Sequence, residues 1–350
     1  MPQIEDIVNV VLSTWEEAGE GSFVDIASTY QDYIMLDQLY RNNKQKFQGG
    51  KKITWRVRYT TSGNAANFVP YDTFDLNIRD TLVEAETNWK HVRTGLAMDD
   101  FEVEVNSGEY EIVDLVQERM SESFLDLADL LEEQGFKKPA SSAVTDEING
   151  LQYHIVYNAT DGFTGSNPAG FTTWCNLDRD TYTGLKNYSA TYTNVTKTDL
   201  IRKWRKASVL TKFRSPRDVK LPDFNTGDKW GWYTNYDVIG TLEEELEKQN
   251  DNLGNDVASK DGKTMFRQRP VNWVPFFENN GADPIYGVNW GWFKFITMKN
   301  RDMRKIGPRM APRQPTVSES FWILTCNMIC RNPREGGLVL AKSDPALAWS

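Results

Sequence analysis

The chain has 350 residues, enough for one large domain or two of ordinary size. Its 39% hydrophobic and 25% charged residues give a globular balance rather than a disordered one. The net charge of -9 argues against a general nucleic-acid binder, whose affinity rests on neutralising phosphates, but not against enclosing nucleic acid without gripping it.

Residues Ile4 to Ala18 read as an amphipathic helix, with Ile4, Ile7, Val8, Val11, Leu12 and Trp15 on one face. No stretch approaches the length of a membrane span, and the start lacks the basic and apolar regions of a signal peptide. A second helical stretch, Thr29 to Asn42, carries Tyr33, Leu36, Leu39 and Tyr40. Gln48-Gly49-Gly50 then releases the chain into a β-hairpin predicted over Lys51 to Asp80. Its outgoing strand sets Ile53, Trp55, Val57 and Tyr59 against Lys52, Thr54, Arg56 and Arg58, the period of a strand with one covered face. Thr61-Ser62-Gly63-Asn64-Ala65 forms a small polar tip, and Pro70 confines part of the return strand to an edge or bulge. A two-stranded ribbon is marginal alone in water, so this one is expected to lie on something else. A neighbouring copy would make the protein a building block.

A long helix is predicted over Glu109 to Gln134, roughly 39 Å at about 1.5 Å per residue. Asn106 caps it with Glu109 in the reciprocal position, and Gly135 and Pro139 supply the stop. Ile112, Val116, Met120, Ser123, Phe124, Leu127, Leu130 and Leu131 fall in one stripe. Asp114, Glu118, Glu122, Asp129, Glu132 and Glu133 fall opposite, with Leu115 and Leu125 projecting from that charged side.

Pro139 to Lys186 is loop-rich. A third helix follows from Asp199 to about Phe213, with Leu200, Ile201, Trp204, Ala207 and Leu210 inward, and an acidic fourth from Thr241 to Asn250. Near the end, Trp322, Leu324, Cys326, Met328 and Cys330 share one face of a strand, before an Asn332-Pro333 turn and a short strand Leu338 to Leu340. Cys326 and Cys330, roughly 13 Å apart if extended, are too distant for a disulfide. With Cys175 they are read as structural thiols made inside a cell, and the Asn-x-Ser/Thr triplets at Asn158, Asn187 and Asn194 carry no weight without secretion.

Charge is segregated. Residues 99 to 133 hold thirteen acidic side chains and one basic, Arg119. Residues 196 to 220 hold nine basic ones against Asp199 and Asp218, and Lys299 to Arg313 is basic again. Solvated helix faces account for such blocks, and so do copies that dock by charge complementarity.

Catalytic patterns are missing. Two histidines, His91 and His154, leave no paired metal ligands and are expected as ordinary strand residues. No nucleophile elbow, phosphate-cradling loop or dinucleotide fingerprint appears, and Asp251 to Asp261 lacks the closing Glu of a calcium loop. Trp230-Gly231-Trp232 and Trp290-Gly291-Trp292 are read first as two aromatic strands whose Gly admits a close backbone. The alternative is a platform for sugars in a carbohydrate-binding protein or glycoside hydrolase with an acidic pair.

The order of an N-terminal arm, extended hairpin, long helix, loop-rich second domain and long terminal strand ending in Asn332-Pro333 resembles tailed-bacteriophage major capsid proteins of the Hong Kong 97 type. Phe213-Arg214-Ser215-Pro216, Tyr233-Thr234-Asn235-Tyr236-Asp237, Gln249 to Gly254, Arg269 to Pro275 and Pro284 to Gly291 are similar to a branch of those coat proteins. The resemblance implies an α+β fold: an N-terminal arm (1–48), an extended-loop hairpin (49–80), a peripheral domain (81–138 and 310–350) around a spine helix, and an axial domain (139–309). It implies a non-catalytic virion subunit, assembled in the host bacterial cytoplasm into hexamers and pentamers of an icosahedral shell around double-stranded DNA. Neither cofactor nor metal is implied. Portal, decoration and separate scaffolding proteins are the expected partners, and no cross-link through Lys51 or Lys52 is expected. Lys52, Trp55, Arg56, Arg58, Asn64, Glu118, Glu122, Lys203 and Arg205 are the expected inter-subunit contacts. A tail-tube or decoration protein is a further alternative that the long helix disfavours.

Overall fold

The long terminal strand organises the molecule. A computed structural model describes residues 33–60, 62–65, 67–71, 73, 80–101, 111–213, 230–250, 264–267, 269–278, 282–312 and 314–342, without the side chains of 41–42, 111–118 and 246–250. The predicted helix Ile4 to Ala18 and the Asn106 cap lie outside these residues.

In chain order the elements are α1 (Ile34–Leu36, continued by a π-helical turn Asp37–Asn42), β1 (Lys44–Phe47), β2 (Ile53–Arg58), β3 (Leu82–Thr87), β4 (Lys90–Asp99) and α2 (Glu111–Phe136). Next come α3 (Leu151–His154), β5 (Gly162–Gly165), β6 (Asn187–Thr191), α4 (Leu200–Leu210), β7 (Trp230–Thr234) and α5 (Tyr236–Asn250). The remainder is β8 (Met265–Phe266), β9 (Arg269–Trp273), β10 (Ile285–Asn289), β11 (Phe293–Met298), β12 (Arg304–Ala311), β13 (Gln314–Cys330), α6 (Pro333–Gly336) and β14 (Gly337–Ala341).

Strand β13 pairs with β4 along one edge and with β12 and then β11 along the other, all antiparallel, and β1 adds parallel to β11. A seven-stranded sheet runs β5-β6-β14-β10-β7-β9-β8. The period of two in β13 sends Leu324, Cys326, Met328 and Cys330 into the main core, as predicted, while Ile329 meets Ile53 and Ile296 on the other face. Trp322 belongs to a separate cluster with Leu96 and Met98, covered by Met120 and Phe124 of α2. That cluster is the predicted stripe of α2 meeting β4, with Ser123 Oγ donating to the Gly95 carbonyl.

Several boundaries fall elsewhere. β14, grouped by the resemblance with the peripheral domain, sits between β6 and β10 in the seven-stranded sheet, while β11 and β12 pair with β13. α2 does not stop at Gln134: Phe136 extends it to pack between Phe276 and Phe277. Gly135 is not a terminator but a point of close approach, since a Cβ there would lie 2.5 Å from Met35 Cγ. α5 starts at Tyr236, five residues before the predicted Thr241, because Asn235 Oδ1 accepts the Val238 N–H and Val238 is buried with Leu242. Leu210 faces outward rather than inward, the buried stripe of α4 running through Leu200, Trp204, Ala207 and Ser208.

Candidate inter-subunit surfaces

The hairpin is longer than its predicted limits. β2 pairs not with residues before Asp80 but with Leu82–Thr87, in the register Ile53↔Thr87, Trp55↔Ala85, Arg56↔Glu84 and Val57↔Val83. Cross-strand chemistry explains the choice: Arg56 faces Glu84, the large Trp55 faces the small Ala85, and Lys52 Nζ reaches Glu86 Oε1 at 2.6 Å. Its expected covered face is covered by the same chain. Trp55 meets Trp174 edge-on at 6.1 Å between centroids, Tyr59 meets Tyr182 at 5.1 Å, and Glu86 N–H donates to the Cys175 carbonyl. Beyond that docked base the arm carries exposed Phe68, Val69 and Tyr71, an apolar run that the residue pattern did not single out.

The expected contact residues therefore divide. Arg56 and Arg58 are exposed on the open face of the arm, and Asn64 is partly exposed at its tip. Trp55 and Lys52 are engaged within their own subunit. On α2, Glu122 is exposed, and the Glu118 side chain lies outside the described residues. On α4, Arg205 is exposed, whereas Lys203 pairs with Asp199 and donates to the Thr191 carbonyl.

The acidic side of α2 is not uniformly solvated. Glu132 is 2% exposed; its Oε1 and Oε2 accept the N–H groups of Met35 and Leu36, each at 2.9 Å, and Asp129 accepts the Tyr33 hydroxyl. Burial pushes the Glu132 carboxyl up to about 7, against the lowering effect of those N–H groups. Sequence spacing cannot reveal this, because the partner segment lies nearly a hundred residues away. A second clamp joins α1's π-helical turn and β1 to the turn after β11. Asp302 takes Lys44 and Lys46, both at 2.7 Å, and the Tyr40 hydroxyl. Burial acts to raise Asp302, but the two lysines outweigh it and hold the carboxyl below its ordinary value.

The interior polar groups are set away from reactivity. His154 lies in helix α3, not in a strand, and is fully buried. Burial, then the Arg179 charge, pushes it down to about 3. Arg179 is itself buried without a carboxylate partner among the described residues, donating to the His154 and Ser166 carbonyls and lying over Trp174. Burial raises the Cys175 thiol and pushes Cys330 up to about 12, so both stay protonated near neutrality. His91 accords with expectation: it sits in β4, bonded to Thr325.

The Trp-Gly-Trp segments offer no platform. Trp230 and Trp232 are buried in β7, and Gly231 is tight against the Tyr233 ring rather than a backbone. Trp290-Gly291-Trp292 is the turn between β10 and β11, not a strand, with Trp290 buried and donating to the Tyr233 hydroxyl at 2.8 Å.

No family model matches the sequence, and neither does any curated protein. Solved structures do match. The cyanophage A-1(L) capsid asymmetric unit is 14% identical, with 92% of this chain and 96% of that chain covered at a TM-score of 0.63. The fold is that of a capsid protein. The capsid of the native GTA particle, 10% identical, aligns over 92% of this chain and 94% of its own at 0.56. The holo-SrpI encapsulin complex of Synechococcus elongatus, also 10% identical, aligns over 95% of each chain at 0.52. The capsid fold thus covers nearly the whole chain.

Proposed function

We propose that this chain is a non-catalytic subunit of an icosahedral phage shell with the Hong Kong 97 organisation, β2–β3 forming the extended loop and α2 the spine. Copies assemble as hexamers and pentamers around double-stranded DNA, in the virion, after synthesis in the host cytoplasm. Scaffolding, portal and decoration proteins are the further partners. One observation carries the reading: a capsid fold spans 92% of the chain while Phe68, Val69 and Tyr71 of the arm stay exposed in a single subunit. An apolar run left exposed beyond a docked base is surface for a neighbouring copy. Arg56, Arg58, Asn64, Glu118, Glu122 and Arg205 remain the contact residues, with Lys52, Trp55 and Lys203 supporting from within. The acidic balance suits a container that holds DNA without adhering to it.

Sedimentation and negative-stain electron microscopy of the purified chain, alone and with a co-expressed scaffolding protein, test this. Closed particles or discrete five- and six-membered rings are expected. A chain that remains monomeric under both conditions overturns the reading.

A further inference from the structure

The helix layer on the seven-stranded sheet is polarised. α4 packs on β6 and β14, and α5 packs on β9, both burying their apolar stripes in the same core cluster. Residues 264–266 run between them: Phe266 stacks on Trp204 of α4, and the Thr264 hydroxyl donates to Glu243 of α5. The two helices therefore stand on either side of residues 264–266, α4 toward the β6 end of the sheet and α5 toward the β9 end.

Those two ends differ in sign. The open face of α4 shows Arg202, Arg205 and Lys206, continued by exposed Val209 and Leu210. The far end shows Asp237 and Glu244 beside exposed Tyr236 and Trp273. Glu278 holds that patch together, accepting both the Tyr236 N–H and the Trp273 indole N–H. Among the described residues none of the five charged side chains has an ion-pair partner in its own subunit. Arg202 and Arg205 on one face, and Tyr236 and Trp273 on the other, are residue types enriched at protein interfaces, and the two faces carry opposite charge.

We infer that the basic face of α4 docks on the acidic, aromatic face of α5 in a second copy of this chain. This inference rests on the shell reading and names the surfaces by which neighbours join. The contact is heterologous: each copy offers its basic end to one neighbour and its acidic end to the other, and a constant rotation closes the chain of copies into a ring. Opposite charges set the register, and Tyr236 and Trp273 give flat faces for the incoming guanidinium groups. Lys203 stands outside this contact because it holds Asp199 and the Thr191 carbonyl.

Charge reversal and charge exchange test it in the full chain, read by sedimentation. Arg202→Glu with Arg205→Glu and Lys206→Glu should reduce the assembled fraction about tenfold, and Asp237→Lys with Glu244→Lys should do the same. The chain carrying all five reversals restores the pairing with opposite sign and should assemble within about twofold of wild type. Reversals that leave wild-type assembly intact overturn the inference while the shell reading stands. Five reversals that fail to rescue a folded chain also overturn it, since the partner surface is then another. Reversed chains that form normal particles but lose packed DNA would assign the basic face to nucleic acid instead. A wild-type chain that never assembles overturns both readings.

Discussion

Glu132 holds the backbone of Met35 from across the molecule, its Oε1 accepting the Met35 N–H at 2.9 Å while Gly135, one turn on, lets the Met35 side chain lie against α2. The same carboxylate makes the attachment sensitive to pH. With the folded value near 7 and the ordinary value near 4.5, the folded chain retains a proton that the unfolded chain has released between those limits. Stability from this group is therefore greatest below pH 4.5, falls as pH rises through the window, and is level above it. Comparison with Glu132→Gln isolates the effect: wild type should lose about 3 kcal/mol relative to the variant between pH 4.5 and 7.5. Urea denaturation at both values measures it, and a difference that rises with pH would contradict the assignment.

Asp302 behaves with the opposite sign. Its carboxyl is held below the ordinary range by Lys44 and Lys46, so its contribution is complete above about pH 4 and is lost as pH falls through the depressed value. Asp302→Asn should cost about 2 kcal/mol at neutral pH by leaving the largely buried Lys44 without its carboxylate, and should remove that acid-side loss. Denaturation curves at pH 3.5 and pH 7 separate the two effects.

The arm is anchored in its own subunit at the base, so base and open face should respond differently. Trp55→Ala should cost about 2 kcal/mol, less than a fully buried Trp, because its ring is only partly covered against Trp174. Arg56→Gln with Arg58→Gln, which sets no like charge opposite Glu84, should change stability by less than about 1 kcal/mol yet reduce assembly. Thermal melts and sedimentation on the same preparations distinguish them, and a stability loss as large as that of Trp55→Ala would place the arginines in folding instead.

Shortening the arm tests its reach. Removal of Thr61 to Asn67 should leave a folded monomer with an unchanged helical spectrum and impaired assembly. Normal particles from that variant would show that the tip contributes no contact.

Gly135→Ala should destabilise by about 2 kcal/mol despite the better helix propensity of alanine, because its Cβ meets Met35. In a Met35→Ala background the obstacle is gone, and the same substitution should become neutral or stabilising. Equal costs in both backgrounds would refute the contact.

What was legible in the sequence was local. The alternation from Ile53 to Val57, the stripe of α2 through Met120, Ser123, Phe124, Leu127 and Leu131, and the inward face of β13 from Leu324 to Cys330 each depend on a period and appear at predicted residues. Tyr59 and Leu130, expected on covered faces, are exposed. What was not legible depends on partners distant in sequence. β3 pairs with β2 across a loop of more than twenty residues, so only the match of Glu84 and Glu86 to Arg56 and Lys52 marked it. Glu132 reads as a solvated helix residue until α1 lies over it. Gly135 suggested a helix end where it serves a close approach. Of the expected contact surface, spacing identified exposed Arg56, Arg58, Glu122 and Arg205, but not that Trp55 and Lys203 were already occupied.

Strand β13 also has a mechanical meaning. Its seventeen residues extend about 55 Å, from exposed Gln314 at one end to buried Cys330 at the other. Its hydrogen bonds run perpendicular to that axis, on both edges over much of the length. A tug at the exposed end therefore loads many bonds in shear at once instead of peeling them singly. Force arriving at the rim of the molecule is carried inward along one continuous beam and shared by β4, β11 and β12 before any one of them yields.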